Sequence, residues 1–310
     1  MIKEWENGES AFQYEKQNGQ VKLLQWKGSG ISAHIPEQVE GCPVTAIGRK
    51  AFLSNKRIQE VWLPKGISQI EEWAFAYCTR LNTVGMPGHK ILFGKGAFLQ
   101  CEKLERIITD AAGDGSAAKA DVAAKESADI ACLLAATVHK LDAPYLLTPA
   151  EAGEEEWLQK WDAKLLQILK APDREGYSKT ILCGEEDYGS MENNLEYFLS
   201  QKRRSKVRLA LVRLLHDLGL SGEVKQQLES YLKEHTKGCP HEEAWLVVKE
   251  EYGVQKEYYD LLYRTEALTR GNFDAILCDM GNELAEMKAY LLKKKEEWFG
   301  NGSFFDAFVL

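Results

Sequence analysis

The sequence predicts an α+β protein: a short solenoid of 23-residue repeats followed by an all-α domain. Three observations carry this. An Ala-Phe pair stands at Ala51-Phe52 and returns at Ala74-Phe75 and Ala97-Phe98, each time 23 residues on. From about Asp121 onward apolar residues recur every three or four places, as at Ile130, Leu133, Leu134 and Val138, which is the helical period. Between these regions lies "TDAAGDGSAAKADVAAKESAD", residues 109–129, small and polar with Gly113 and Gly115, the composition of a junction. The expected division is therefore 1–109, a linker at 110–120, and 121–310. A chain of 310 residues has the length for two domains.

Taken in order, "FQYEKQNGQVKLLQWKGSG" (Phe12 to Gly30) reads as a hairpin. Its Asn18-Gly19 step supplies the positive φ that a two-residue turn needs. The repeats follow, and many columns keep the same step: Ile47, Ile70, Phe93; Ile58, Leu81, Leu104; Val61, Val84, Ile107; Pro64, Pro87; and Cys78, Cys101, with Asn55 in the earlier slot. Each unit predicts a short strand in "IQEVWLP", "LNTVGMP" or "LERIIT", with one face in the core. Proline ends the strand, because it has no N–H for a ladder. A unit this small cannot bury its apolar face alone, so the units must stack with a parallel sheet along one side. Phenylalanine then fills the space between coils, alanine lets the next turn approach, and the cysteine packs as a small apolar residue.

The stretches "IPEQVEGCPVTAIGRKAF", "LPKGISQIEEWAFAYCTRL" and "ILFGKGAFLQCEKLERI" resemble the BspA-type leucine-rich repeat, roughly I-P-x-x-V-x-x-I-G-x-x-A-F-x-x-C-x-x-L. The resemblance covers about residues 10–109 and implies a leucine-rich-repeat solenoid with the hairpin as its N-terminal cap. The third unit departs from it: "LERIIT" lacks the proline, and "GHKILFGKGAF" has Phe93-Gly94 in place of the usual spelling. It reads as a degenerate last repeat. Members of this family are often exported surface proteins that bind host proteins or matrix, which implies a possible cell-surface role.

Beyond the junction about eight helices are expected, near 121–140, 149–170, 190–202, 204–218, 222–235, 240–251, 254–269 and 272–299. Ser221 and Asn272 read as N-caps, and Thr148-Pro149 as a helix start. The tail "LTRGNFDAILCDMGNELAEMKAYLLKKKEEWF" is similar to the closing helix pair of ankyrin-like repeats. This region is expected to be an irregular helical repeat or bundle that also caps the C-terminal end of the array. "SFFDAFVL" at the terminus is expected to fold back onto a groove of the helical domain; the alternative is a peptide that docks a partner.

A net charge of −8 opposes nucleic-acid binding, which draws its affinity from clustered Lys and Arg. The basic run "KRRSKVR", Lys202 to Arg208, reads as a solvated helix start. No stretch approaches eighteen apolar residues, so no membrane span is expected, and "MIKEWENGES" lacks the apolar core of a secretory signal, so the expected location is the cytoplasm. Seven scattered cysteines without a C-x-x-C pair disfavour a disulfide framework and a zinc ribbon. Asp110, Asp114 and Asp121 suggest a calcium loop, but Ala112 stands where a ligand is needed. "CPHEE", Cys239 to Glu243, reads as a helix cap with Pro240 in the first turn rather than a metal site. No motif for nucleophilic, metallopeptidase or phosphate-loop chemistry is present. No cofactor, metal or catalytic residue is expected.

What remains is surface. The strand positions pointing away from the core form two columns across the concave sheet: Glu60, Thr83, Arg106 and Trp62, Gly85, Ile108. Trp62 beside a glycine column is a candidate anchor, since tryptophan is enriched among binding hot spots. Trp73, before Ala-Phe on the convex side, reads as a packing residue. The expectation is a non-enzymatic module binding a protein or peptide through Trp62, Glu60, Thr83, Arg106 and Ile108. The alternatives are an enzyme or regulator with a pocket between the two domains, and a surface adhesin, which would need an export signal.

Overall fold

The computed structural model describes residues 2–109, 120–177, 194–237 and 241–300. The expected linker, the acidic loop from Asp110 to Asp121, the Cys239-Pro240 step and the terminal "SFFDAFVL" lie wholly or partly outside those residues. By packing, the chain forms two compact units: residues 1–165 with 216–219, and residues 166–215 with 220–310. A solenoid of about four turns followed by helices gives the α+β class.

In the first unit, β1 (Ile2–Asn7), β2 (Ser10–Gln17) and β3 (Gln20–Trp26) form an antiparallel meander. The β2–β3 turn has positive φ at both Asn18 and Gly19, as the sequence requires. β3 then pairs in parallel with β6 (Cys42–Ile47), which pairs with β8 (Gln69–Ile70) and through it with β10 (Leu92–Phe93). The hairpin is thus built into a ladder of its own, which the two-residue strands at Ile70 and Phe93 are too short to announce by period. A second, four-stranded parallel sheet runs β4 (Ser32–His34), β7 (Glu60–Trp62), β9 (Thr83–Met86), β11 (Arg106–Thr109). Its core-facing column, Ala33, Val61, Val84 and Ile107, is fully buried.

The Ala-Phe pairs line up between the coils. Phe52, Phe75 and Phe98 stack with ring centroids 4.8 and 5.0 Å apart, and Trp26 continues the stack at 5.4 Å from Phe52. Backbone bonds run alongside: the Phe52 N–H donates to the Ala74 carbonyl and the Phe75 N–H to that of Ala97, both at 2.7 Å. The cysteines do more than fill space. Cys78 donates its S–H to the Phe52 carbonyl at 3.1 Å and Cys101 to that of Phe75 at 3.0 Å. Each coil also carries two left-handed positions, Lys50, Trp73, Gly96 and Ser54, Tyr77, Gln100, again 23 residues apart.

Helix α1 (Ala120–His139) lies against β11, the last strand of the array. A 3-10 turn (Pro144–Leu146) and α2 (Glu155–Lys170) follow, tied in where the Trp157 indole N–H donates to the Leu146 carbonyl and that of Trp161 to Leu133 in α1. α2 begins later than Thr148-Pro149, because Gly153 at φ 93 interrupts the chain between them.

In the second unit α3 (Leu195–Leu215) is one helix where two were expected. Its basic run is mid-helix rather than a solvated start. Lys206 is buried with its ammonium on Asp173 at 2.6 Å, while Arg203, Arg204 and Arg208 pair with Glu243, Glu250 and Glu251. Those carboxylates belong to α5 (Glu243–Glu251), reached after α4 (Gly222–Glu234), whose N-cap Ser221 accepts from the Val224 N–H. α6 (Lys256–Arg264), α7 (Phe273–Asp279) and α8 (Ala285–Phe299) complete the order. The helix expected over 272–299 is broken at Gly281, φ 64, a left-handed residue of the kind that ends helices. Asn272 does not cap α7 with its side chain; that side chain accepts from the Thr269 N–H instead.

Candidate functional site

The open face of the four-stranded sheet is set by register. Cross-strand partners run Ser32, Glu60, Thr83, Arg106 in one column and His34, Trp62, Gly85, Ile108 in the other. The sequence-predicted residues therefore share one face, and the structure adds Ser32 and His34 to it.

Trp62 is half-buried, and its indole lies flat across Gly85. A Cβ placed on Gly85 would come within 2.2 Å of the indole, so the ring can lie there only over glycine. On the other side the His34 imidazole is nearly parallel to the indole, 9° between planes with centroids 6.1 Å apart. The indole N–H points to the Glu60 carboxylate at 3.4 Å. His34 also meets the Ser32 hydroxyl at 3.2 Å.

The other predicted residues divide. Arg106 is exposed and donates from Nη2 to the Thr83 hydroxyl at 3.3 Å. Thr83 is only 2% exposed, so it holds Arg106 rather than presenting a surface of its own. Glu60 and Ile108 are half-buried. The face thus presents an aromatic platform with a carboxylate, a guanidinium and an aliphatic edge around it.

Residues 32–112 match the BspA type leucine-rich repeat region, in six copies. Of solved structures, the chain is similar to a leucine-rich repeat protein of T. pallidum, at 27% identity over 31% of this chain and 46% of that one, TM-score 0.27. It is similar to a leucine-rich repeat protein of Bacteroides capillosus ATCC 29799, at 29% identity over 33% of this chain and 78% of that one, TM-score 0.30. A leucine-rich cell surface protein of Faecalibacterium prausnitzii A2-165 matches at 22% identity over 35% and 32%, TM-score 0.29. The chain thus spans under half the length of the T. pallidum structure. No curated protein matches the chain.

The stretch that matches the repeat family begins at β4, and that start explains why Ser32 and His34 escape the 23-residue test. From His34 to Trp62 is 28 residues, because Glu40 and Gly41 turn a small hairpin between β5 (Gln38–Val39) and β6 and lengthen the first coil. The proline after the strand, Pro36 against Pro64, is the signal that could have placed them. Trp73, on the far side of the array, is half-buried with Arg49 and Lys50 each 5.1 Å from its ring, in keeping with a packing role.

The last coil borders a groove of about 570 Å³, between Phe93, Phe98 and Leu99 on one side and His139, at the end of α1, with Pro144 and Leu147 on the other. Burial, with Lys140 adding to it, pushes the His139 imidazole down to about 4, so it is neutral at pH 7. Among the described residues no His, Cys, Asp and Glu group could hold a metal ion, and no helix is long and apolar enough to cross a membrane.

Proposed function

We propose that the protein binds a protein or peptide partner across the open face of the four-stranded sheet, with Trp62 as the anchor and Glu60, Arg106, Ile108, Ser32 and His34 around it. A repeat array of this type is an interaction module and is typically non-enzymatic. The observation that carries the reading is the Trp62 indole held flat over Gly85. A half-buried tryptophan fixed before binding loses little rotamer freedom when a partner covers it, and such residues dominate interfaces. Thr83 contributes by fixing Arg106.

The test compares proteins captured from the native cell by the wild type, Trp62→Ala, Arg106→Ala and Gly85→Ala. Truncating the anchor should cost about 2 kcal/mol or more of binding, roughly thirtyfold in affinity. If all three variants retain every partner, the sheet face is not the binding surface.

A further inference from the structure

In the first unit α1 carries Asp129 and Cys132 one turn apart, so both side chains share a helix face. His216 and Asp217, which belong to the same unit, lie along it. The His216 Nδ1 meets the Asp129 carboxylate at 2.9 Å, and Lys125, one turn before Asp129, pairs with Asp217 at 2.9 Å. Asp129 is 6% exposed in its side chain and His216 24%, so the pair is shielded yet open on the imidazole side. Cys132, half-buried and one turn on from Asp129, stands on the same helix face beside that imidazole. A carboxylate orients an imidazole, and the imidazole faces a sulfur: this is the arrangement that activates a thiol. Burial opposes the imidazolium charge, but the Asp129 and Cys132 bonds outweigh it and hold His216 protonated up to about 9.

The contrast with the repeat cysteines is chemical. Cys78 and Cys101 are fully buried, and burial pushes both thiols up to about 12, so they are inert. Cys278 is exposed, and Cys42 is half-buried.

We propose that Cys132 is a modification site for small disulfides of the glutathione type, with His216 as its proton donor and Asp129 positioning His216. In the exchange the Cys132 sulfur attacks one sulfur of the incoming disulfide, a new S–S bond forms, and the old one breaks with its electron pair leaving on the departing thiolate. The proton that Cys132 gave up to the imidazole passes from His216 to that thiolate, so the net change is one thiol for another. No further oxidant enters. The role lies outside the sheet face and does not depend on the binding reading.

The full-length protein is incubated with oxidised glutathione under native conditions, and each cysteine peptide is followed in time by mass spectrometry. Cys132 should acquire the adduct about tenfold faster than the exposed Cys278. Asp129→Asn and His216→Gln should bring Cys132 down to the Cys278 rate while Cys278 itself is unchanged. Cys78 and Cys101 report folding: labelling there marks a variant that has opened, and the wild-type ratio of Cys132 to Cys278 then decides alone. A wild-type ratio near one, or folded variants with an undiminished Cys132 rate, overturns the proposal.

Discussion

Gly85 and Trp62 show how one missing side chain fixes another. The indole rests where a Cβ would stand, so Gly85→Ala must lift the ring from the sheet without touching the core column beside it. The expected result is a lost or strongly weakened partner interaction with unchanged thermal stability, read by affinity capture and differential scanning calorimetry. A second test concerns Gln100, held at φ 57. Gln100→Gly should be tolerated, whereas Gln100→Val, a β-branched residue in the left-handed region, should cost about 1–2 kcal/mol in urea unfolding. Titration gives a third. His216 is raised to about 9, above the ordinary ~6.5 of an unfolded imidazole. Its contribution is therefore complete below about pH 6.5 and is lost as pH rises toward 9, ~3 kcal/mol in all. Proton NMR should find its midpoint near that value, with amide protection in α1 falling over the same window. His139 runs the other way: lowered to about 4, it withdraws stability as pH falls from about 6.5 toward 4.

At the scale of elements, the aromatic stack is the seam between coils. Phe75 is fully buried with a ring on each side, so Phe75→Ala should cost about 3–5 kcal/mol, while Cys78→Ala, which removes one S–H bond and little volume, should cost far less. Urea unfolding of the two variants side by side checks the order. The seam was legible because Phe and Cys recur at one fixed step together with the apolar and proline columns around them. The columns of the sheet face were legible for the same reason, since strand geometry alternates sides by one residue. The strand at Ser32–His34 was hidden by the lengthened first coil, and the second ladder by strands too short to show a period. Thr83 reads as a surface residue from alternation, yet Arg106 covers it, and alternation carries no information about a neighbouring strand's side chain. In α3 the basic run reads as a solvated helix start, but Lys and Arg are good helix formers in mid-helix, and the carboxylate partners of its arginines lie some forty residues further on in α5. Pairing at that distance leaves no mark on local pattern.

For the whole molecule, the decisive feature is that the first unit is not one continuous piece of chain. Its bulk ends at Leu165, and four residues, His216–Gly219, return to it from beyond α3. A fragment ending at Leu165 lacks the partners of both Asp129 and Lys125, so α1 should be less protected from amide exchange there than in the full chain. Equal protection in the two would show that the returning segment contributes nothing. A fragment ending at Thr109 removes α1 as well and leaves β11 an uncovered strand of four residues, which should associate through that edge in size-exclusion chromatography.

The same discontinuity sets a schedule during synthesis. Chains leave the ribosome at about 5–20 residues per second, so the roughly fifty residues between Leu165 and His216 take several seconds to emerge. Through that interval the repeat coils can already close on one another while α1 waits for its two ion-pair partners. For a time, then, α1 has β11 and α2 to hold it but not the segment that returns to it, and a stall in translation anywhere in α3 would prolong that unfinished state.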